Sequence, residues 1–306
     1  MDGILCIDKP ADFTSFDVVA KMRGILRTRK IGHSGTLDPM ATGVLPLFLG
    51  RATKACDMLP DQTKRYTATF LLGQTTDTQD STGTVLQTRP VTVGRQEVSR
   101  ALAGFVGAQK QLPPMYSAVR VNGQRLYDLA RQGADIPREA RDITIFGAEL
   151  LAQNPNGNEA AHTYTIDIDC SKGTYIRTIC HDLGEQLGCG AVLTALRRTR
   201  ACGYHLADCI TLEQAQSYAD SGRWEETGVI LPVETAFAMY PAVHLDAEQT
   251  RLFTNGVQLS LARMDLDPLA AELFTIFAAD GSFLGLASTD VAEDALICRK
   301  WFGQRG

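Results

Sequence analysis

The sequence predicts an α+β fold, and three observations carry that expectation. Thr163 to Cys170, TYTIDIDC, alternates Tyr164, Ile166, Ile168 and Cys170 against Thr165, Asp167 and Asp169, the period of a half-buried antiparallel strand. Thr14 and Ser15 precede Phe16, Val18, Val19, Met22 and Ile25, a helical spacing with a capping residue in front of it. Elements of both kinds are mixed without an internal repeat, which argues against a doubly wound sheet or a solenoid.

Taken in order, Gly3 to Asp8 reads as a short apolar strand ended by Lys9-Pro10, followed by the helix that Thr14 opens. The run Val44 to Leu49 reads as a buried strand and Arg65 to Leu72 as an alternating one. Thr75 to Gly83, TTDTQDSTG, is a polar, turn-rich loop, and Thr92 to Phe105 a helix after a β-like lead. Residues 112–142 form a basic, glycine-punctuated excursion with Arg120, Arg125, Arg131, Arg138 and Arg141 beside Tyr116 and Tyr127. After Cys170, Gly173 permits a bend. Tyr175 and Arg177 share a side if the strand continues, and Ile179, Leu183 and Leu187 then mark a helix. Thr211 with Gln214 is a capping box for a helix to about Ser221. Past Tyr240-Pro241 the chain reads as short strands and turns, with Asp280-Gly281 as a hairpin turn. This divides the chain into units at 1–240 and 241–306.

The length of 306 residues suits two domains, and 44% hydrophobic with 21% charged residues is ordinary for a globular chain. The eight cysteines include no C-x-x-C pair, so neither a disulfide framework nor a zinc site is expected. No apolar run reaches the ~18 residues of a bilayer span, and MDGILCIDKP is acidic and not a cleavable leader, so a cytoplasmic protein is expected. Net charge is −5, unevenly distributed: residues 1–205 carry 24 Lys+Arg against 20 Asp+Glu, and residues 206–306 carry 6 against 15. Two basic clusters, Lys21 to Lys30 and Arg197, Arg198 and Arg200, read either as solvated faces or as sites for a phosphate-bearing ligand.

The most informative segment is GHSGTLDPMATGVLPLFLGRATK, Gly32 to Lys54. Its glycines Gly32, Gly35, Gly43 and Gly50 admit positive φ or close approach, while Pro39 and Pro46 lock φ. Asp before Pro is a common turn opener. Here it is flanked by His33, Ser34, Thr36 and Thr42, which makes Asp38 the leading catalytic candidate. Arg177 is a natural partner, since a cation favours the carboxylate's ionised form and a planar fork fixes its direction.

GILCIDKP, TSFDVV, GHSGTLDPMATGVLP, KRYTATFLLGQTTDTQD, PPMYSAVRVNGQRLYDLAR and SKGTYIRTICHDLG stand here in the order in which they occur in bacterial TruB-type tRNA pseudouridine synthases. The chain resembles that family over residues 3 to 240. The resemblance implies a mainly antiparallel catalytic sheet with a lid inserted at about 112–142. It also implies a small C-terminal PUA-like RNA-binding domain, for which an inert stabilising appendage is the other reading. The implied activity is isomerisation of the T-loop uridine, position 55 of tRNA, with base flipping and with neither metal nor cofactor.

Asp38 would be the catalytic carboxylate and Arg177 would hold it. Tyr66 would stack on the base, its proton-accepting role disfavoured by a phenol pKa of roughly 10. Tyr175 and Leu196 would complete the base pocket, and His33 would hold the displaced loop, with Lys9 and Lys64 contacting substrate. A monomer binding the tRNA T-arm is implied. Asp12 departs from the family's usual glycine, which bears on local loop geometry. Two other readings stay open: a non-catalytic tRNA-binding or folding module on the same fold, and, more distantly, a glycoside hydrolase, which normally needs two carboxylates.

Overall fold

The computed structural model describes residues 1–117, 119–121, 123–134, 136–151, 162–264 and 266–303. In chain order its strands are β1 (Gly3–Lys9), β2 (Ile31–His33), β3 (Thr42–Leu49), β4 (Lys64–Leu72), β5 (Gln74–Thr76), β6 (Val85–Thr88), β7 (Gly107–Gln111), β8 (Arg120–Val121), β9 (Gln124–Arg125), β10 (Arg141–Leu150), β11 (Thr163–Cys170), β12 (Ala191–Ala201), β13 (Tyr204–His205), β14 (Cys209–Ile210) and β15 (Ile230–Leu231). The helices among them are α1 (Ser15–Ile25), α2 (Arg95–Ala103), α3 (Leu126–Arg131), α4 (Ile176–Gln186), α5 (Leu212–Ser221) and α6 (Trp224–Thr227). The main sheet runs β14-β1-β3-β12-β4-β11-β10-β7. Only β1 with β14 and β3 with β12 pair in parallel along that path, so the sheet is mixed and mainly antiparallel.

Burial changes along the sheet in a way the sequence encodes. Leu5, Ile7, Leu45 and Leu47 pack with Val18, Val19 and Met22 of α1 and Leu212 of α5. Ile4, Cys6, Val44 and Phe48 fill a core on the other face. Strands covered on both faces read as continuous apolar runs. β4 and β11 are covered on one face only: Phe70, Ala68, Ile166 and Ile168 pack against Ile179 and Leu183 of α4 and Val98 and Leu102 of α2. Thr67 and Asp167 meet on the other face, where Arg65 pairs with Asp167 at 2.5 Å.

Thr14 caps α1 in a reciprocal box with Asp17, and Thr211 caps α5 with Gln214 as the sequence predicts. β7 and β10 pair in register from Gly107↔Ile145 to Gln111↔Arg141, so the segment between Gln111 and Arg141 leaves and re-enters the sheet at one point.

A second sheet follows, β16 (Ala242–His244), β17 (Leu259–Ser260), β18 (Phe274–Phe277), β19 (Phe283–Asp290) and β20 (Ala295–Trp301), in the order β16-β18-β19-β20-β17. It surrounds its own apolar core of Val243, Phe253, Phe274, Ile276 and Leu296. The aromatic side chains of Phe283 and Phe302 meet buried Phe237, with ring centroids 6.3 and 5.7 Å away, and so join this unit to the larger one.

Several expectations are corrected. The tail holds a helix, α7 (Ala247–Thr254), capped by Asp246, where strands and turns alone were expected. The polar loop after β4 includes a hairpin, β5 with β6, whose residues 85–88 are all exposed and so show no alternation. The strand ending at Cys170 does not continue through Arg177; Tyr175 is the N-cap of α4 and Arg177 is helical. Gly35, Gly43 and Gly50 have positive φ, whereas Gly32 meets the other expectation, close approach, since a Cβ there would lie 3.3 Å from Cys56 Sγ. Arg197 and Arg200 do not form a free basic knot, because they pair with Asp8 and Asp169 at 2.7 Å each.

Asp12, the departure from the family's glycine, has φ +65° and donates its N–H to the Pro39 carbonyl at 2.9 Å. Aspartate is among the few residues tolerated in that conformation. Asp12→Gly should therefore change stability by less than about 0.5 kcal/mol, while Asp12→Val should destabilise by about 1–2 kcal/mol in urea denaturation. Phe237→Ala should destabilise by about 3–5 kcal/mol in the same assay, since it empties the contact between the two sheets.

Candidate active site

Asp38 lies between β2 and β3, on a segment anchored by several independent bonds. The buried Ser15 hydroxyl at the start of α1 accepts the Leu37 N–H at 2.8 Å, and the Asp38 carbonyl accepts the Ala41 N–H at 3.1 Å. The Pro39 carbonyl takes two donors, the Asp12 N–H at 2.9 Å and the Lys9 ammonium at 3.1 Å. A loop with its backbone held at successive residues presents one side chain in one direction.

Arg177 is the counterpart. Its Nε stands 2.9 Å from Asp38 Oδ2, a charge approach without hydrogen-bond alignment, and its Nη2 donates to Oδ1 at 3.3 Å. Nη1 donates to the Thr78 carbonyl at 3.0 Å and Nη2 to the Tyr116 carbonyl at 2.7 Å. A second carboxylate, buried Asp80, lies 3.7 Å from Nη1 and accepts from the Thr78 and Thr82 hydroxyls at 2.8 and 2.5 Å. Gln111, at the end of β7, brackets the backbone of Tyr175 by accepting its N–H at 2.8 Å and donating to its carbonyl at 3.0 Å. That fixes the turn from which α4 and Arg177 start.

A cavity of about 460 Å³ opens over this pair, lined by Asp38, Lys64, Tyr66, Tyr175, Arg177 and Leu196 together with Leu37, Val119, Arg141 and Lys172. Its volume falls in the range of small-ligand sites. Six of the eight residues expected from the sequence thus share one cavity.

The other two lie elsewhere. Lys9 is fully buried, its ammonium donating to the carbonyls of Pro10, Phe13 and Pro39 at 2.8, 2.5 and 3.1 Å, beneath the Asp38 loop and away from the cavity lining. Burial lowers its pKa to about 8. His33 does not line the cavity; its Nε2 faces Thr36 Oγ1 at 3.2 Å. Burial and the Arg198 charge lower its pKa. Ser15, Gln111 and Asp80 were not singled out from the sequence. Asp80 sits in a stretch whose composition reads as turn, and a carboxylate's partner across the fold leaves no local signal.

Electrostatics decides what these groups can do. Asp38 keeps 38% of its side-chain surface exposed, yet the walls around it remove enough water to raise its pKa. Arg177 and Lys9 oppose that rise, and Asp80 adds to it. Burial pushes the Tyr66 phenol up to about 12, so at neutral pH it is a neutral ring and not a base.

Comparisons with known proteins place the fold and the family. A crystal structure of a Cbf5-Nop10-Gar1 complex contains a chain that superposes with TM-score 0.72 at 26% identity, covering 99% of this chain and 85% of that one. The class is that of pseudouridine synthases. The family model "TruB family pseudouridylate synthase (N terminal domain)" matches residues 23–176, and "tRNA pseudouridylate synthase B C-terminal domain" matches 177–238. Similar proteins include the tRNA pseudouridine synthase B of Haemophilus influenzae, 42% identical over 94% of this chain and 89% of its own. That of Clostridium kluyveri is 40% identical over 94% and 95% respectively. The chain belongs to the TruB family.

Removing the cation should move the Asp38 titration further upward. In a carbon-13 carboxyl NMR titration, Asp38 should titrate above an ordinary aspartate, and higher still in Arg177→Gln. An unmoved midpoint would show that Arg177 does not govern the ionisation. By the same sign, the stability this group lends the fold is fully present below the ordinary aspartate pKa and is lost as pH rises through the raised one.

Proposed function

We propose that this enzyme converts the T-loop uridine at position 55 of tRNA to pseudouridine, with Asp38 as the catalytic carboxylate. The observation that carries the reading is the Asp38–Arg177 pair at a cavity large enough to admit a nucleotide, in a chain of the TruB family. The reaction breaks the N1–C1′ bond, turns the uracil, joins C5 to C1′ and releases the C5 proton while N1, freed from the ribose, takes one up, so substrate and product are isomers. Asp38 serves as nucleophile toward the base or the ribose carbon, or as acceptor of a ribose proton; each route needs it ionised and directed. It is the one carboxylate among the described lining residues, which disfavours a two-carboxylate glycosidase.

Tyr66, Tyr175 and Leu196 receive the extruded base, and stacking offsets the few kcal/mol that unstacking costs. Because its phenol stays neutral, Tyr66 acts by contact and not as the acceptor of the C5 proton. Lys64 supplies positive charge within the same cavity for the phosphate-bearing substrate. The excursion between β7 and β10 serves as the lid over the T-arm, with Arg141 at its base lining the cavity. The division at residues 240 and 241 gives a catalytic domain and a C-terminal RNA-binding domain. The reading extends to a cytoplasmic monomer.

Asp38→Asn should abolish pseudouridine formation on transcribed tRNA and on an isolated T-arm stem-loop, with product mapped by position, while binding stays within about tenfold, or 1.4 kcal/mol. Undiminished turnover would overturn the assignment of Asp38, and binding without conversion by the wild type would make the chain a tRNA-binding module.

A further inference from the structure

A second buried guanidinium lies beside the Asp38 loop and is not explained by ion pairing. Arg198 stands on β12 with Gly43 of β3 and Tyr66 of β4 as its Cα partners. Its neighbours Arg197 and Arg200 pair with Asp8 and Asp169, but among the described residues no carboxylate forms an ion pair with Arg198, and its side chain is fully buried. Instead, Nε donates to the Val44 carbonyl at 2.7 Å and Nη2 to the Gly35 carbonyl at 2.8 Å. Nη1 is buried without a hydrogen-bond partner.

Those two carbonyls bracket residues 36–43, the segment that carries Asp38. The loop approaches Arg198 closely at both ends. A Cβ on Gly35 would lie 3.1 Å from Nη1 and 3.0 Å from Lys64 Cε, and one on Gly43 only 2.2 Å from the Arg198 carbonyl. Both glycines also have positive φ, +74° and +103°. Arg198 is also the cross-strand partner of Tyr66, and its charge opposes the rise that burial imposes on that phenol, so one residue bears on the frame of the carboxylate and on the tyrosine of the same cavity.

Burying a cation without an anion is costly, and an apolar side chain of similar volume would be the better choice for stability alone. We infer that Arg198 is a positioning residue: it clamps the two ends of the Asp38 loop at a set separation and thereby holds the carboxylate opposite Tyr66. A planar fork reaches two carbonyls at once, which the single ammonium of lysine does not. The inference rests on the pseudouridine synthase reading above.

The test compares wild type, Arg198→Lys and Arg198→Gln in single-turnover pseudouridine formation with enzyme in saturating excess over transcribed tRNA, with active-site titration, filter binding and thermal melts alongside. The first-order rate constant should fall by about tenfold or more in Arg198→Lys, with affinity for tRNA and the titrated active fraction unchanged. A merely structural role lowers the titrated active fraction, because part of the population is unfolded, but leaves the rate constant of the folded fraction intact. A smaller fall in rate constant overturns the inference, as does unfolding of both variants, which would make Arg198 a stability residue. An inactive wild type sinks the activity reading and this one with it, whereas an active wild type with unimpaired variants sinks this one alone.

Discussion

Arg177 places a permanent positive charge in the first turn of α4, where the helix dipole already presents positive potential, and buries it to 5% exposure. Such a charge is tolerable only with anionic and carbonyl partners. It finds Asp38 from the loop before β3, Asp80 and the Thr78 carbonyl from the turn between β5 and β6, and the Tyr116 carbonyl from the excursion after β7. Three segments distant in the chain are therefore tied to one helix end, and the cavity exists because they converge there.

The remainder of the site follows from how each segment is held. β3 is covered on both faces and cannot shift without exposing one of two cores, so the loop that feeds it inherits a fixed exit point. Ser15, Asp12 and Lys9 then occupy the backbone groups on either side of Asp38. The resulting enclosure raises the pKa of Asp38 and of Tyr66 alike, because low polarity disfavours every charged form. In the same surroundings any charge that is retained interacts more strongly than it would in water.

The distribution of charge also separates the two sheets. The basic residues of β12 are largely engaged inside the protein, two in ion pairs and one on backbone carbonyls. The cluster at the end of α1 makes no ion pair among the described residues, and Arg23 and Lys21 instead lie over the rings of Phe16 and Phe13 at 5.5 and 5.7 Å. A cation that packs on an aromatic face keeps its charge available to a polyanion. Residues 241–306 carry nine Asp+Glu against five Lys+Arg, and this unit is joined to the larger one through the aromatic contact of Phe237, Phe283 and Phe302 and a Lys300–Asp57 ion pair at 3.4 Å.

Much of the fold was legible because its signals are local. TYTIDIDC alternates because one face meets the core under α4 while the other is polar, and Thr211 with Gln214 forms a cap whose partners are three residues apart. The equivalent box at Asp246 and Gln249 was equally present, and α7 went unread within a segment dominated by strands. The hairpin of β5 and β6 left no pattern, since Val85 to Thr88 bury nothing. Lys9 resembled a substrate cation and is a buried ammonium on three carbonyls, a role that composition does not distinguish. By itself the sequence determined the caps, the alternations, the shaped loop around Asp38 and the family resemblance. Only the tertiary structure decided which charges face one another, because Asp38 and Arg177 are 139 residues apart and meet through sheet register and helix placement, which no local pattern records.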